Sequence, residues 1–502
     1  MVIPGSVPGL APSPHYRLAV RLVKGDPSFA PAFAMLTACK DKGDKPKVDN
    51  YFPHLSGWSH TYINLEMTAP IEVEIGRVNG EPIRKATPHP KHRVKSCEIR
   101  SGKAYVILEQ AALVTVDIDG QMDDQDTGKS PGGSYVGPLI HTVSIFANPP
   151  LTGCPRPEDD GVFALKPGTT PPIEGEWKTL YFLPGVHDIG AAYPIRHSRQ
   201  YYIPGDAIVY GGLNSGSNWN NGHDIRIFGH GTLSGARMPH PKFLPPGRGP
   251  DSLQDPIHIL GAANTRVEGI TLADSAYHSL MLISGYDPQK PTDIRWVKII
   301  TWRGNGDGIN PFGNGLLEDC FIRTQDDSTY VNGRGLRRLV LWNDWNGSSF
   351  VLSALPRVTD RTLVVEDCDV IYARAGWHQW AGGRVFNMRG EGRGECGAGV
   401  VFRDIRVEDP RPTLQAFCIQ MRMQPPYGKP ETARKAGDLS GVVFQNISIA
   451  AASILGEPEI LFGMEGAWIH DLTFENFTVA GRKITSANFF TTNAFVKNLE
   501  FR

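Results

Sequence analysis

"NGLLEDCFIRT", residues 314–324, and "RTLVVEDCDVIYA", residues 361–373, share one figure: a short apolar run, the trio Glu-Asp-Cys, and a second short apolar run. Laid beneath them, "HDIRIFGHGTLSG" (223–235), "NTRVEGITLAD" (264–274), "TDIRWVKIITW" (292–302), "LRRLVLWND" (336–344), "GVVFRDIRVED" (399–409), "SGVVFQNISIA" (440–450) and "HDLTFENFTVAG" (470–481) follow the same form. Each reads apolar-x-x-(Asp/Asn/Gly/Cys)-apolar-x-apolar, and the recurrence falls at roughly 20 to 40 residues. A repeat of that length cannot bury its apolar face alone, so it must stack on its neighbours. Helical spacing (i, i+3, i+4) is missing, and the runs are short and β-branched. Together these features predict a right-handed parallel β-helix, with the longer intervals, such as "FLPPGRGPDSLQDP" (243–256), forming loops around a cleft.

Upstream the character differs. "TYINLEM" (61–67), "IEVEIGRVNG" (71–80), "AYVILEQAALVTVDIDG" (104–120) and "HTVSIFANP" (141–149) alternate in polarity and are broken by turn clusters, as in a β-sandwich. A Pro/Gly-rich stretch over 149–176 separates the two regimes. The expected organisation is therefore all-β: a β-sandwich over 1–165, then a right-handed parallel β-helix over 166–502 that carries the chemistry.

Bulk composition fits this reading. The chain has 502 residues, 55 glycines and 40 prolines, many turns and few long helices. With 51 basic against 52 acidic residues the net charge is −1, which offers no field to recruit nucleic acid or an anionic membrane. No apolar run reaches bilayer-spanning length. The start, "MVIPGSVPGLAPSPHYRL", lacks a charged segment followed by an apolar one. The expectation is a mature secreted or periplasmic protein, with a cytoplasmic one as the alternative. Seven cysteines without C-x-x-C argue against a disulfide framework or a zinc site, and Cys320 and Cys368 read as core thiols at one repeated position. No cofactor is expected.

Chemistry is concentrated in "NGDGINPFGNGLLEDCFIRTQDDSTYV", residues 305–331. Nineteen residues separate Asp307 from Asp326, close to one minimal coil, so Asp307 should sit one layer from the Asp326-Asp327 pair. Layers rise by about 4.8 Å, which brings three carboxylates onto one patch of wall. Like charges so placed raise each other's pKa and are costly without a use. A protonated and an ionised carboxyl together serve glycoside hydrolysis as acid and base. Three carboxylates also suit calcium, although further ligands at close spacing are missing. Asp319 and Asp367 read as turn formers in their rungs.

"NGDGI" paired with "QDD" on coil-like strands, after "IFGHGTLSG", resembles the clan joining polygalacturonases (family 28 of the glycoside hydrolases) with dextranases and isopullulanases (family 49). The 19-residue gap, "LYFLPGVHDIG" and "GLRRLVLW" are similar to family 49, whose members begin with a β-sandwich and continue into a right-handed β-helix. The resemblance implies hydrolysis of an α-linked polysaccharide or oligosaccharide, with a dextran- or pullulan-like glucan as the first expectation. It implies inversion, with Asp326 as general acid and Asp307 and Asp327 positioning and activating water. Family 49 usually continues the pair as Asp-Asp-Ala-Ile-Lys, whereas here Tyr330 stands in the lysine's place in "DDSTYV". No histidine-containing or Arg-x-Lys galacturonan signature follows the pair, and His230 in Gly-His-Gly reads as structural.

Sugar binding calls for aromatic faces and a few polar groups. The candidates are Trp342, Trp345, Trp377, His378, Gln379 and Trp380, together with Tyr330, Asn310, Arg303 and Arg323 near the carboxylates. Rival readings are a hydrolase of a pectic or sulfated glycan, a polysaccharide lyase of the same fold, and a glycan-binding β-helix whose aspartates are turn residues.

Overall fold

A computed structural model describes residues 1–40, 51, 55–122, 140–216, 218–241, 255–285, 287, 289–344, 346–352, 362–373, 384–389, 394–396, 399–409, 416–421, 436–455 and 459–502. Two five-stranded sheets are built from strands between Tyr16 and Asn148, and a long, almost wholly parallel sheet runs from Val162 to Phe501. The parallel sheet begins just ahead of the division at residue 165 drawn from the sequence. Among the described residues no helix is long and apolar enough to cross a membrane.

The repeat seen in the sequence is the coil of a right-handed parallel β-helix, the hand that parallel crossovers take. Its variable residue is a one-residue corner. Trp296, Asp319, Arg338, Asp367, Asp404, Asn446 and Asn476 occupy equivalent places, and all have φ between 48° and 56°. Asp and Asn tolerate this left-handed region best among residues with a side chain, which explains their recurrence there. The residue after each corner turns inward. Cys320 and Cys368 fill that place beside Val297, Leu339 and Ile405 of other coils, and all five are 0% exposed. They are core thiols.

In-register stacking turns each position of the coil into a column. Inside, Val267, Ile294, Leu317, Leu336 and Val365 align and continue as Phe402, Phe444, Phe474 and Phe501. These phenyl rings stack at 5.2, 5.1 and 4.9 Å, close to the rise of one coil. On the outer face, next to the corner, Glu268, Arg295, Glu318, Arg337, Glu366 and Arg403 alternate in sign up one column. From Arg295 onward consecutive members pair, as in Arg295–Glu318 at 3.2 Å and Arg337–Glu366 at 2.9 Å. Alternation matters because a parallel stack would otherwise set like charges about 4.8 Å apart.

The sandwich packs against the helix wall through one sheet. Strands Ser59–Glu66 and His141–Asn148 are parallel neighbours, buried on both faces. One face (Ile63, Leu65, Val143, Ile145) fills the sandwich core. The other (Tyr62, Phe146) meets Ile300, Trp302, Phe321 and Trp342 of the helix. His230 belongs to this junction, where its Nε2 lies 2.8 Å from Glu66, so it is structural. Lys298 is completely buried there and donates to Asn148 Oδ1 at 3.0 Å and to the Gly269 carbonyl.

One inner column also holds a carboxyl. Glu459, 0% exposed, follows Phe386 and Phe417 in an inner column, and its carboxylate accepts the Phe417 N–H. Burial pushes its pKa up to about 8 from 4.5. A carboxyl whose folded pKa is raised destabilises the fold progressively as pH climbs from the unfolded value to the folded one. Glu459→Gln should therefore change little near pH 4 and gain on the order of a few kcal/mol over wild type by about pH 8. Denaturant melts at the two pH values check this, and a pH-independent difference would refute it.

Candidate active site

Two turns, on adjacent coils, carry the cluster predicted from 305–331. Ser279 N–H donates to the Asp307 carbonyl at 2.8 Å, and Gly308 N–H donates to the Asp327 carbonyl at 2.8 Å. With Ile257, Leu280, Ile309 and Thr329 in register, counting back two residues sets Asp255, His278, Asp307 and Asp327 one above another. A parallel column beside it holds His258, Met281, Asn310 and Tyr330. Close approach of the turns requires glycine: a Cβ on Gly308 would lie 2.1 Å from the Ser328 carbonyl oxygen. Gly347 (φ +75°) has the same role, since its Cβ would lie 2.1 Å from Asp327 N.

Asp307, Asp326 and Asp327 each present a carboxylate oxygen within 4.8 Å of the other two. Asp307 and Asp326 are 6% and 8% exposed. The Tyr330 hydroxyl donates to Asp307 Oδ2 at 2.5 Å and stands 3.4 Å from Asp327 Oδ2. Asn346 Nδ2 donates to Asp326 Oδ2 at 2.8 Å, and the Asp327 N–H donates to Asp326 Oδ1 at 2.9 Å. Burial, and then the Asp326 charge, push the Asp307 pKa well above the usual carboxylate range, opposed by the Tyr330 hydrogen bond. Burial and the neighbouring Asp307 push the Tyr330 phenol well up, so it remains a donor at every working pH. Three such oxygens could hold a cation. The hydrogen bonds from Tyr330 and Asn346 use one lone pair each on Asp307 and Asp326 and leave others that a cation could use.

The remaining sequence candidates divide sharply. Asn310 is 6% exposed on the column beside the carboxylates, and its Oδ1 has no hydrogen-bond partner. Tyr330 is at the site, as partner of the carboxylates. Arg303, Arg323 and Trp342, expected to bind substrate, are corrected: each is 0% exposed, on the side facing the sandwich. Arg323 and Trp342 sit on strands Phe321–Thr324 and Val340–Asn343, whose outward side meets the sandwich, whereas Asn310 and Tyr330 sit on the strands Ile309–Phe312 and Thr329–Tyr330. Trp345, Trp377, His378, Gln379 and Trp380 lie outside the described residues.

Three cleft residues escaped the sequence reading. His278 Nε2 is 3.7 Å from Asp307 Oδ2, and its ring stacks on Tyr277 at 4.1 Å. His258 Nδ1 bonds Asp255 Oδ2 at 2.7 Å, leaving Asp255 Oδ1 buried without a partner. Their only signal was register: Asp255 and His258 precede and begin a strand whose alignment with Leu280 and Ile309 no motif announced.

A buried carboxyl held against two others should weaken the fold. Because the Asp307 pKa is raised, its cost is absent at low pH and grows as pH rises through the unfolded value near 4. Asp307→Asn is expected to melt about 1–3 °C above wild type at pH 7 and level with it near pH 3. Calorimetry at both pH values checks this. A variant melting below wild type at pH 7 would contradict it.

The chain matches no protein-family model and no curated protein. Among solved structures, the exopolygalacturonase of Thermotoga maritima (12% identity, TM-score 0.34) covers 63% of this chain and 84% of its own. The endo-xylogalacturonan hydrolase of Aspergillus tubingensis (12%, 0.36) covers 68% and 92%. Dex49A from Penicillium minioluteum aligns over 100% of this chain and 96% of its own at 16% identity and a TM-score of 0.75, so the two share their fold from end to end.

Proposed function

We propose that this protein is a glycoside hydrolase that cleaves α-glycosidic bonds of a polysaccharide or oligosaccharide, with Asp307, Asp326 and Asp327 as its reacting carboxylates. The observation that carries the reading is the convergence of these three side chains, from two adjacent coils, within 4.8 Å of one another. Their mutual repulsion is a cost that a binding scaffold or a set of turn residues has no reason to bear. The end-to-end fold shared with Dex49A and the "NGDGI" and "QDD" motifs of family 49 support the same reaction class and an α-glucan as first substrate.

The floor beside the carboxylates favours a neutral sugar over a pectic or sulfated one. Asp255 Oδ1 and Asn310 Oδ1 are buried acceptors without donors, which sugar hydroxyls would satisfy and an anionic group would not. A lyase would want a basic Lys or Arg near the scissile bond. Arg303 and Arg323, the arginines nearest in sequence, are buried against the N-terminal region.

By resemblance Asp326 is the acid, protonating the leaving oxygen, while Asp307 and Asp327 hold and deprotonate the attacking water. The raised Asp307 pKa favours a second assignment, in which Asp307 carries the proton. The stereochemical outcome is equally open to test. Two-carboxylate inverting pairs usually stand about 6.5–9.5 Å apart, wider than the oxygens of this cluster.

The test is product release from dextran, pullulan, polygalacturonate, arabinan, fructan and sulfated galactans, with the first-formed anomer followed by NMR. Wild type should cut an α-glucan with inversion, and Asp326→Asn should bind it while turning over about 10²–10⁴-fold more slowly. An aryl glycoside with a good leaving group should restore rate to whichever variant lacks the acid, Asp326→Asn or Asp307→Asn. A retained anomer would remove the inverting mechanism. A wild type that binds a glycan and cuts none would remove the enzyme.

A further inference from the structure

Each turn that carries a reacting carboxylate is preceded by an arginine that is 0% exposed: Arg303 before Asp307, and Arg323 before Asp326. Neither guanidinium faces the cleft. Both are contacted by residues of the N-terminal region.

The Arg323 guanidinium lies between two indoles, 4.5 Å from the Trp302 ring centre and 4.0 Å from that of Trp342. On the sandwich side its Nη1 donates to Thr142 Oγ1 and to His60 Nδ1, both at 3.0 Å. Arginine only donates, so His60 must accept at Nδ1 and donate from Nε2 to Ser144 Oγ, 2.7 Å away. On the helix side Nε donates to Asp344 Oδ2 at 2.8 Å. The same oxygen accepts from Gln325 Nε2 at 3.0 Å, and Asp344 Oδ1 accepts from Trp342 Nε1 at 2.6 Å. Gln325 adjoins Asp326, and its carbonyl accepts the Asn346 N–H at 2.9 Å. Asn346 in turn donates its side chain to Asp326. A continuous buried path thus runs from two sandwich strands to both the backbone and the carboxylate of Asp326.

Arg303 repeats the design one coil earlier. Tyr51 forms an isolated β-bridge with it and lays its ring 4.8 Å from the guanidinium. The Tyr51 hydroxyl donates at 2.5 Å to Asp274, whose other oxygen is 3.5 Å from Arg303 Nε. Arg303 Nη1 donates to the Met238 carbonyl at 2.7 Å, and its own carbonyl accepts the Gly306 N–H at 3.1 Å, closing the turn that presents Asp307.

We propose that the N-terminal sandwich is a positioning element of the active site. Through His60 and Thr142 on Arg323, and Tyr51 on Arg303, it sets the spacing of the two turns that bring Asp307 to Asp326 and Asp327. The physical basis is desolvation: a buried guanidinium must keep its partners, so the turns cannot shift without breaking charge-assisted hydrogen bonds across the domain junction. This inference rests on the three carboxylates being the reaction centre.

Thr142→Val and Tyr51→Phe test it in the full chain, since each removes one hydroxyl and keeps the packing shape. Both variants should remain folded by circular dichroism and lower kcat about 10- to 100-fold, with KM within about twofold and a displaced pH–rate profile, as displacement of a reacting group by about 1 Å would cause. Arg323→Lys should do the same more severely, because an ammonium cannot reproduce the fork. A purely structural junction would lower the melting temperature and leave kcat and the pH profile alone; folded variants with that behaviour overturn the proposal. A readout independent of turnover is the titration of ¹³C-carboxyl-labelled aspartates. Midpoints that move in Thr142→Val support the positioning role even if no glycan is cut, in which case only the hydrolase reading falls. Midpoints identical to wild type in both hydroxyl variants overturn the positioning role, whatever the enzyme does.

Discussion

Parallel, in-register stacking governs this molecule. Each coil hydrogen-bonds to the next at about 4.8 Å, so a residue type at one position of the coil meets its own kind above and below. Inside the helix that favours columns of aliphatic and phenyl side chains, with rings stacked at the coil rise. Outside, it would pile like charges, and the alternating column from Glu268 to Arg403 is how the fold avoids that.

At the candidate site the same rule operates without alternation. Asp307 and Asp327 occupy one column and Asp326 adjoins them, so the repulsion relieved elsewhere by arginines is kept. Tyr330 and Asn346 moderate it with neutral hydrogen-bond donors. The cluster therefore retains a tendency to hold a proton, the property that acid–base chemistry on a glycosidic oxygen needs. Below it in the stack, His278 and the Asp255–His258 pair extend the polar floor in the direction of the earlier coils.

The two arginines that precede the carboxylate turns face the domain junction. Arg303 and Arg323 are enclosed by Tyr51, Trp302 and Trp342 and bound to groups on both sides of the domain junction. The sandwich sheet that covers them is accordingly buried on both faces, with polar residues such as His60, Thr142 and Ser144 among its contacts. An interface made only of apolar packing would hold the two parts together with less control over the turns.

The sequence by itself determined the coil. Apolar positions two apart, an Asp, Asn or Gly at the corner and a recurrence near 20 residues are local and periodic, so they survive in one dimension. It also determined that Asp307 and Asp326 could meet, because nineteen residues is close to one turn of the stack. Tertiary structure decided which face each neighbour takes. Arg303 and Arg323 lie within a few residues of the carboxylates and Trp342 one coil on, yet they belong to the face of the coil that meets the sandwich, where groups of both the sandwich and the helix give them partners. Asp255, His258 and His278 are distant in sequence and enter the site through register across coils, which depends on loop lengths that no local pattern encodes.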